Sequence, residues 1–567
     1  MRWTLKPKPN PETSLFLANE LNVDLSIAKL LVQRGITTFD EAKSFFRPNL
    51  KNLHNPYLMK DMDKAVERIE TAILAGENIL VYGDYDVDGT TSVAMFSSYL
   101  KTIHSNVATY IPDRYAEGYG ISYQGIDFAF DNNISLIVAL DCGIKAIDKV
   151  KYAKEKGIDF IICDHHRPGN EIPNAVAVLD PKRADCEYPY KELCGCGVGF
   201  KLIQALAEER NQNISDLTSY LDLVATAIAA DIVPITGENR ILAYYGLQVI
   251  NSYPRTGIKA MIHQVKKSEF TITDVVFIIA PRINAAGRIK HGNYAVELLT
   301  ELDFETAVKF ASEIENYNNE RKLLDKSITN EALQQIKDHH EEQNFSTVVY
   351  TETWHKGVIG IVASRLIETY FRPTLVFTKS GDFLAASARS VPNFDVYNAI
   401  EKCSEFIEQF GGHMYAAGLT IKPENYELFK QKFEEVVKAS ITKEMLTPEI
   451  VIDAEINLDE ITPKFFRILS QFEPCGPENM KPVFCASGLR DNGYGKVVGA
   501  EELHLKLNLF EGTNQKTYPA IGFKLGDKMG ITKSGAAFNA AFCIDENNWN
   551  GYTNIQLLLK DLQVESV

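Results

Sequence analysis

The chain has 567 residues, too many for one hydrophobic core, so three or four domains are expected. Hydrophobic residues make up 45% and charged residues 24%, as in ordinary soluble globular protein. The net charge of -16 argues against a nucleic-acid protein with a broad basic footprint but says little about one groove.

The N-terminal segment MRWTLKPKPNPE lacks the apolar run of a secretory signal, and no apolar stretch is long enough to cross a bilayer. The nine cysteines show no framework spacing. Cys142 and Cys163 end apolar runs, and Cys194 and Cys196 stand too close for a zinc-binding CxxC pair. A reduced, cytoplasmic protein is the expectation.

Residues 1–50 carry apolar positions at helical spacing, broken by Gly35. From about 60 to 300, apolar runs alternate with helical patterns. Strands are expected at NILVYG (78–83), NVATYIP (106–112), SLIVAL (135–140), DFIIC (159–163) and AVAVL (175–179). That alternation implies a parallel α/β sheet. Residues 303–341 form a long polar helical stretch without Gly or Pro, expected to be exposed and to connect two lobes. A second α/β region has strands near 346–352 and 373–379. From about 445, short β-like runs with turn residues read as a small β-barrel.

Three apolar strands run into acidic or imidazole residues. The first meets Asp84, Asp86 and Asp88 in DYDVDG, the next Asp141, and the third Asp164, His165 and His166. In a parallel sheet these carboxyl ends share one edge, where ligands bind. Asp231, after the apolar segment VATAIAA, is placed to join them. Aspartates with imidazole suit a divalent cation such as Mn²⁺ or Mg²⁺, and a pair about 3.5–4 Å apart stabilises phosphoryl displacement. DYDVDG also looks like the start of a calcium loop. However, its twelfth position is Met95 instead of Glu, and it follows a strand. A lone Asp at a strand end is usually a turn or cap residue; three such ends in one sheet are harder to dismiss. A second Asp-His-His, Asp338–His340, closes a polar helix and reads as solvated surface.

DYDVDG (84–89), the Asp141-Cys142-Gly143 turn, DHH (164–166) and Asp231 in AADIVP resemble the four successive motifs of the DHH phosphoesterase family. PDRYAEGYG (112–120), IAPRINAAGR (279–288), GVIGIVASRL (357–366) and GGHMYAAG (411–418) resemble its RecJ-like exonucleases. The resemblance implies an N-terminal helical segment (1–55), a parallel-sheet DHH domain (56–302) and a connecting helix (303–341). A smaller α/β DHH-associated domain (342–440) and a C-terminal OB-like barrel (441–567) follow. The implied activity is metal-dependent, 5′ to 3′ hydrolysis of single-stranded DNA in repair and recombination, with Mn²⁺ or Mg²⁺. A helicase and a single-strand-binding protein are the partners the resemblance implies. The metal ligands it implies are Asp84, Asp86, Asp141, His165 and Asp231. His166 would be the catalytic imidazole and Asp164 the group orienting it. Asp88 either ligates indirectly or fixes the loop through Gly89. Two other readings share the site: a hydrolase of short oligonucleotides or cyclic dinucleotides, and a DNA-binding scaffold with a dead nuclease core. The tail beyond residue 445 argues against the first, the intact motif set against the second.

For DNA, Arg282, Asn284 and Arg288 offer phosphate-gripping groups, against the alternative of a turn with paired arginines. Ser387, Arg389, Ser390, Gly411, Gly412 and His413 resemble the substrate-binding parts of the associated domain, where the terminal 5′ phosphate would be held. Arg114, Tyr115 and Tyr119 lie in a loop beside the active strands, and the tyrosines are stacking candidates. Tyr494, Lys496, His504 and Lys506 are candidates for a strand-binding face of the barrel.

Overall fold

A computed structural model describes residues 1–512, 516–549 and 552–564. They form two compact units, one of Met1–Pro112, Tyr119–Ala280 and Glu449–Val567, the other of Asp113–Gly118 and Pro281–Pro448.

The first unit is built on a parallel sheet of β1 (Asn78–Gly83), β2 (Val107–Tyr110), β3 (Ile134–Leu140), β4 (Asp159–Cys163) and β5 (Ala177–Leu179), in the order β2-β1-β3-β4-β5. Strands β1, β3 and β4 are apolar nearly throughout because both sheet faces are covered. Four helices follow the strand-end motifs in the chain: α1 (Val87–Leu100), α2 (Gly195–Glu209), α3 (Leu221–Ala230) and α4 (Gly237–Ser252). Almost all of α1 is buried, which accounts for its weak amphipathic pattern. The strand order reverses between β1 and β3, so a crevice opens beyond their carboxyl ends.

In the second unit, α5 (Ala280–Ile289) carries the PRINAAGR residues on a helix, not a turn. The long α6 (Phe304–Asp338) follows. It is not exposed all round: Ile328, Ala332 and Ile336 pack with Val349, Trp354 and Val362 in one core. Then come β6 (Thr347–Tyr350), α7 (Ile359–Thr369), β7 (Thr374–Ser380), β8 (Phe383–Arg389), β9 (Ile407–His413) and β10 (Ala416–Ile421). The sheet order is β9-β10-β8-β7-β6, with only β6 and β7 parallel.

The C-terminal strands return to the first unit as β11 (Phe484–Asp491), β12 (Lys496–Val498), β13 (His504–Glu511), β14 (Tyr518–Gly522), β15 (Phe538–Trp549) and β16 (Tyr552–Val564). The ring β11-β15-β16-β14-β13 closes where β13 pairs with β11, making a barrel without free edges in the ring. The N-terminal helices are not a separate body. Leu17, Ile27 and Leu31 share a core with Phe465, Phe484, Leu507 and Phe542, and Arg2–Leu5 pairs in parallel with Glu449–Ile452.

Candidate active site

Asp84 follows β1 directly. Asp86 then caps α1, its Oδ1 accepting the Gly89 N–H at 3.0 Å. DYDVDG is therefore a strand-to-helix turn. Asp88 is the second residue of α1 and is buried. Its two oxygens accept the N–H groups of Gly195 and Cys196, both at 2.7 Å. These amides open α2, whose positive end suits a carboxylate. Gly195 admits no side chain: a Cβ there would lie 2.6 Å from Asp141 Oδ1. The sequence CGCG is thus a helix start pressed against the site, a role that cysteine spacing gave no hint of.

Asp141 leaves β3 in the left-handed region (φ 60) and donates its N–H to Cys163 O at 2.8 Å. Asp164 is saturated. Its Oδ1 accepts from the His165 N–H (2.7 Å), the His166 N–H (3.1 Å) and His166 Nδ1 (2.8 Å), and its Oδ2 from the Ile144 N–H (2.9 Å). It orients His166. Asp231 arrives from the C-terminal end of α3, not from a strand. The next residue, Ile232, is exposed with φ 59, a strained conformation for a β-branched side chain of the kind found at functional sites.

These groups converge. His165 Nε2 lies 3.3 Å from Asp141 Oδ1, 3.5 Å from Asp231 Oδ2 and 3.8 Å from Asp88 Oδ2. Two sets, Asp141–His165–His166 and Asp88–His165–Asp231, each bring their nitrogen and oxygen atoms within 4.8 Å. Asp141 Oδ1 and His165 Nε2 are buried without a hydrogen-bond partner, so both have capacity left for a cation. The carboxylates and imidazole fit Mn²⁺ or Mg²⁺. Asp88, read from sequence as an uncertain ligand, belongs to the tight cluster. Asp84 and Asp86 stand on the same edge outside those two sets, and the Asp86 charge is felt by Asp88, Asp141 and Asp231.

Burial, then the neighbouring carboxylates, pushes Asp141 well up, Asp88 to about 7 and Asp231 to about 8. Burial, then the charge of His166, lowers His165 to about 3, keeping its nitrogen available to a metal. Burial opposes charge on His166, but Asp164 prevails and raises it to about 9. Asp164, despite its own burial, is held at about 2 by His166 and by backbone amides. A neutral and a charged imidazole thus stand side by side.

Family models match three parts of the chain. The DHH family N-terminal domain matches residues 78–228, the DHHA1 domain 344–439 and the RecJ OB domain 452–561. The single-stranded-DNA-specific exonuclease RecJ of Bacillus subtilis is 34% identical, over 100% of this chain and 71% of that protein. The chain belongs to the RecJ family. The Escherichia coli RecJ is 30% identical over 94% of this chain and 95% of its own length. The crystal structure of RecJ from Thermus thermophilus in complex with Mn²⁺ superimposes with a TM-score of 0.84 at 26% identity, covering 100% of this chain and 80% of that one.

The other residues that the RecJ resemblance singled out fall into distinct settings. The Tyr119 hydroxyl lies 3.1 Å from His166 Nε2, and the Tyr115 hydroxyl donates to Arg288 O at 2.6 Å. Both loop tyrosines are therefore tied by their hydroxyls, although their rings stay partly exposed. Arg282 Nε pairs with Glu315 at 2.6 Å, the paired-arginine alternative. Asn284 is half-buried on α5. Arg288 donates from Nη1 to Gly357 O at 2.8 Å and is lowered to about 10, by burial and then by Arg114, Arg321 and Arg389. Arg321, on α6, is a member of this arginine group that motif reading missed. Arg389 donates to Ala388 O (2.8 Å) and Ser387 Oγ (3.2 Å). Ser390 Oγ donates to Phe394 O at 2.7 Å and shapes a turn. Arg389, Ala416 and His413 lie abreast on β8, β10 and β9, as do Ser387, Gly418 and Gly411. Gly412 has φ +146, and a Cβ there would lie 2.4 Å from Ala416 O.

On the barrel, Lys496 stands directly opposite Lys506, both exposed. Like charges so placed destabilise a strand pair. Tyr494 is exposed beside them. His504 accepts the Lys524 N–H at 3.2 Å and meets Phe523 edge-on, a structural setting. His339 and His340 are exposed at the end of α6, as expected for the second Asp-His-His. Asp180, which ends β5, was also missed; extending the strand-end rule to the fifth strand finds it. It is buried, its Oδ2 has no hydrogen bond, and burial pushes it up to about 7.

Proposed function

We propose that this chain is a metal-dependent exonuclease that hydrolyses single-stranded DNA from its 5′ end. The observation that carries the reading is the meeting of Asp88, Asp141, Asp231 and His165 beyond the carboxyl ends of the parallel sheet. Asp84, Asp86, Asp141, His165 and Asp231 would hold two divalent cations, with Asp88 contributing from the start of α1. Such cations supply Lewis-acid stabilisation of a phosphoryl displacement. Around them, α2 amides fix Asp88, and Asp164 fixes the His166 ring. His166 carries a proton on Nε2 and donates it to the phosphoryl group or the departing oxygen. Arg114, Arg288, Ser387 and Arg389 would receive the terminal 5′ phosphate, with Asn284, Gly412 and His413 beside the first nucleotides. Arg282, already paired with Glu315, has a supporting part. Tyr494, Lys496 and Lys506 would track the strand by stacking and charge.

The boundaries proposed for these parts are 56–302 for the catalytic domain, 303–341 for the connecting helix, 342–440 for the substrate domain and 441–567 for the barrel. Residues 1–55 buttress the barrel. No helix among the described residues is long and apolar enough to cross a membrane; a cytoplasmic setting is part of the proposal. A helicase and a single-strand-binding protein as partners belong to the same proposal and would be sought by co-purification.

Single-stranded DNA labelled at one terminus, digested with Mn²⁺, tests the activity. Early release of labelled mononucleotide from the 5′ end is expected. Release from the 3′ end first would overturn the polarity, and turnover of dinucleotides alone would overturn the substrate.

A further inference from the structure

Helix α7 contains a residue that its own stability disfavours. Gly360 is the second residue of that helix, and glycine is a poorer helix former than alanine. Its φ is outside the left-handed region, so backbone conformation does not demand glycine. Space does. A Cβ on Gly360 would lie 2.9 Å from Ser387 Oγ and 3.0 Å from Arg389 Nη2. Both separations are well inside the distance at which non-bonded heavy atoms attract, about 3.5–4.0 Å for carbon pairs. The ends of Ser387 and Arg389 therefore rest on the bare first turn of α7.

Gly357, three residues earlier, makes room for the neighbouring groups. A Cβ there would lie 2.5 Å from the Tyr115 hydroxyl and 3.0 Å from Arg288 O, while Gly357 O accepts from Arg288 Nη1. The two glycines differ in what a methyl group would strike. At 357 it meets backbone as well as side chain. At 360 it meets only the ends of two flexible side chains, so the fold accommodates alanine and only Ser387 and Arg389 must move. Arg389 is half-buried, burial lowers its pKa, and among the described residues it has no ion-pair partner. A half-buried guanidinium in that state is suited to an anion, and its seat decides how that anion is held.

We propose that Gly360 is a positioning residue for recognition of the 5′-terminal phosphate. Lacking a side chain, it seats Ser387 and Arg389 on α7 and so sets the discrimination between phosphorylated and unphosphorylated ends. This rests on the assignment of Ser387 and Arg389 to that phosphate made above.

The full-length Gly360→Ala variant tests it, on matched oligonucleotides ending in 5′ phosphate or 5′ hydroxyl with Mn²⁺ present. The wild type is expected to show a lower KM for the phosphorylated end. The variant is expected to keep or raise its Tm, to keep kcat at saturation within about twofold, and to lose about tenfold in that KM preference. In an Arg389→Ala background the same substitution should add nothing. A variant that keeps the wild-type preference overturns the role of Gly360, as does an additive effect with Arg389→Ala. So does a fall in Tm with equal losses on both ends. A wild type indifferent to the 5′ phosphate overturns the phosphate assignment itself, and this role with it.

Discussion

Asp180 closes β5 with its Oδ1 accepting the Lys182 N–H at 2.7 Å and its Oδ2 buried without a partner. Its folded value, about 7 against an ordinary 3.8, means that the ionised form is disfavoured in the folded state. The folded protein then binds more protons than the unfolded chain, so stability falls as pH rises from about 4 to about 7. Asp180→Asn removes that loss. The variant is expected to match the parent near pH 4 and to exceed it at pH 8 by on the order of 2 kcal/mol; urea titrations at both pH values check this, and equal stability at pH 8 would refute it. His166 gives a second residue-scale prediction. It is oriented by Asp164 and belongs to one candidate metal set, Asp141–His165–His166, while the Asp88–His165–Asp231 set stands without it. His166→Ala should therefore lower kcat by about 10²–10⁴-fold while calorimetry still detects Mn²⁺ binding. These individual side chains were partly legible in the sequence. Asp84, Asp141 and the Asp-His-His run stood at the ends of apolar strands. Asp88 was undervalued because its importance comes from α2 amides more than a hundred positions away.

At the scale of elements, α4 shows how a helix secures the segment after Asp231. Arg240 donates to the carbonyl oxygens of Phe45, Gln471, Phe472, Glu473 and Pro474, and its guanidinium lies 3.9 Å from the centre of the Phe45 ring. Ile235 N–H donates to Pro477 O at 2.8 Å. One buried cation thus satisfies carbonyls at the ends of two helical segments and in the turn that follows the second. Arg240→Met keeps the apolar stem but strands those carbonyls, and should cost about 2–5 kcal/mol in denaturant unfolding. The strand expectations for the parallel sheet hold element by element, because long apolar runs between turn residues are a local signal. IAPRINAAGR was harder to place. A turn with paired arginines stood as the alternative, and the structure makes it helical after a π-helical segment at Val275–Ile279. The long α6 read as exposed because its buried face is narrow and partly polar, with Asn318 and Asp325 both buried.

On the scale of the whole chain, the first and last segments make one core. Phe45 and Phe46 meet Phe472 at 5.3 and 5.6 Å between ring centres, and Ser26 donates to Glu460 at 2.6 Å. Deleting residues 1–46 should therefore expose the apolar flank around Phe465, Leu469 and Phe472, broadening or abolishing the cooperative thermal transition; an unchanged calorimetric trace would contradict this. The sequence by itself determined the succession of parallel strands, the acidic and imidazole strand ends, and the family to which they belong. Those features are written locally, in hydrophobic runs and the residues that stop them. Only the tertiary structure decided that Asp88 and a helix-borne Asp231 close around His165, that CGCG supplies amides, and that the terminal segments share a core. Each of those depends on which distant surfaces bury one another, and burial between remote segments leaves no period in the chain for a reader to find.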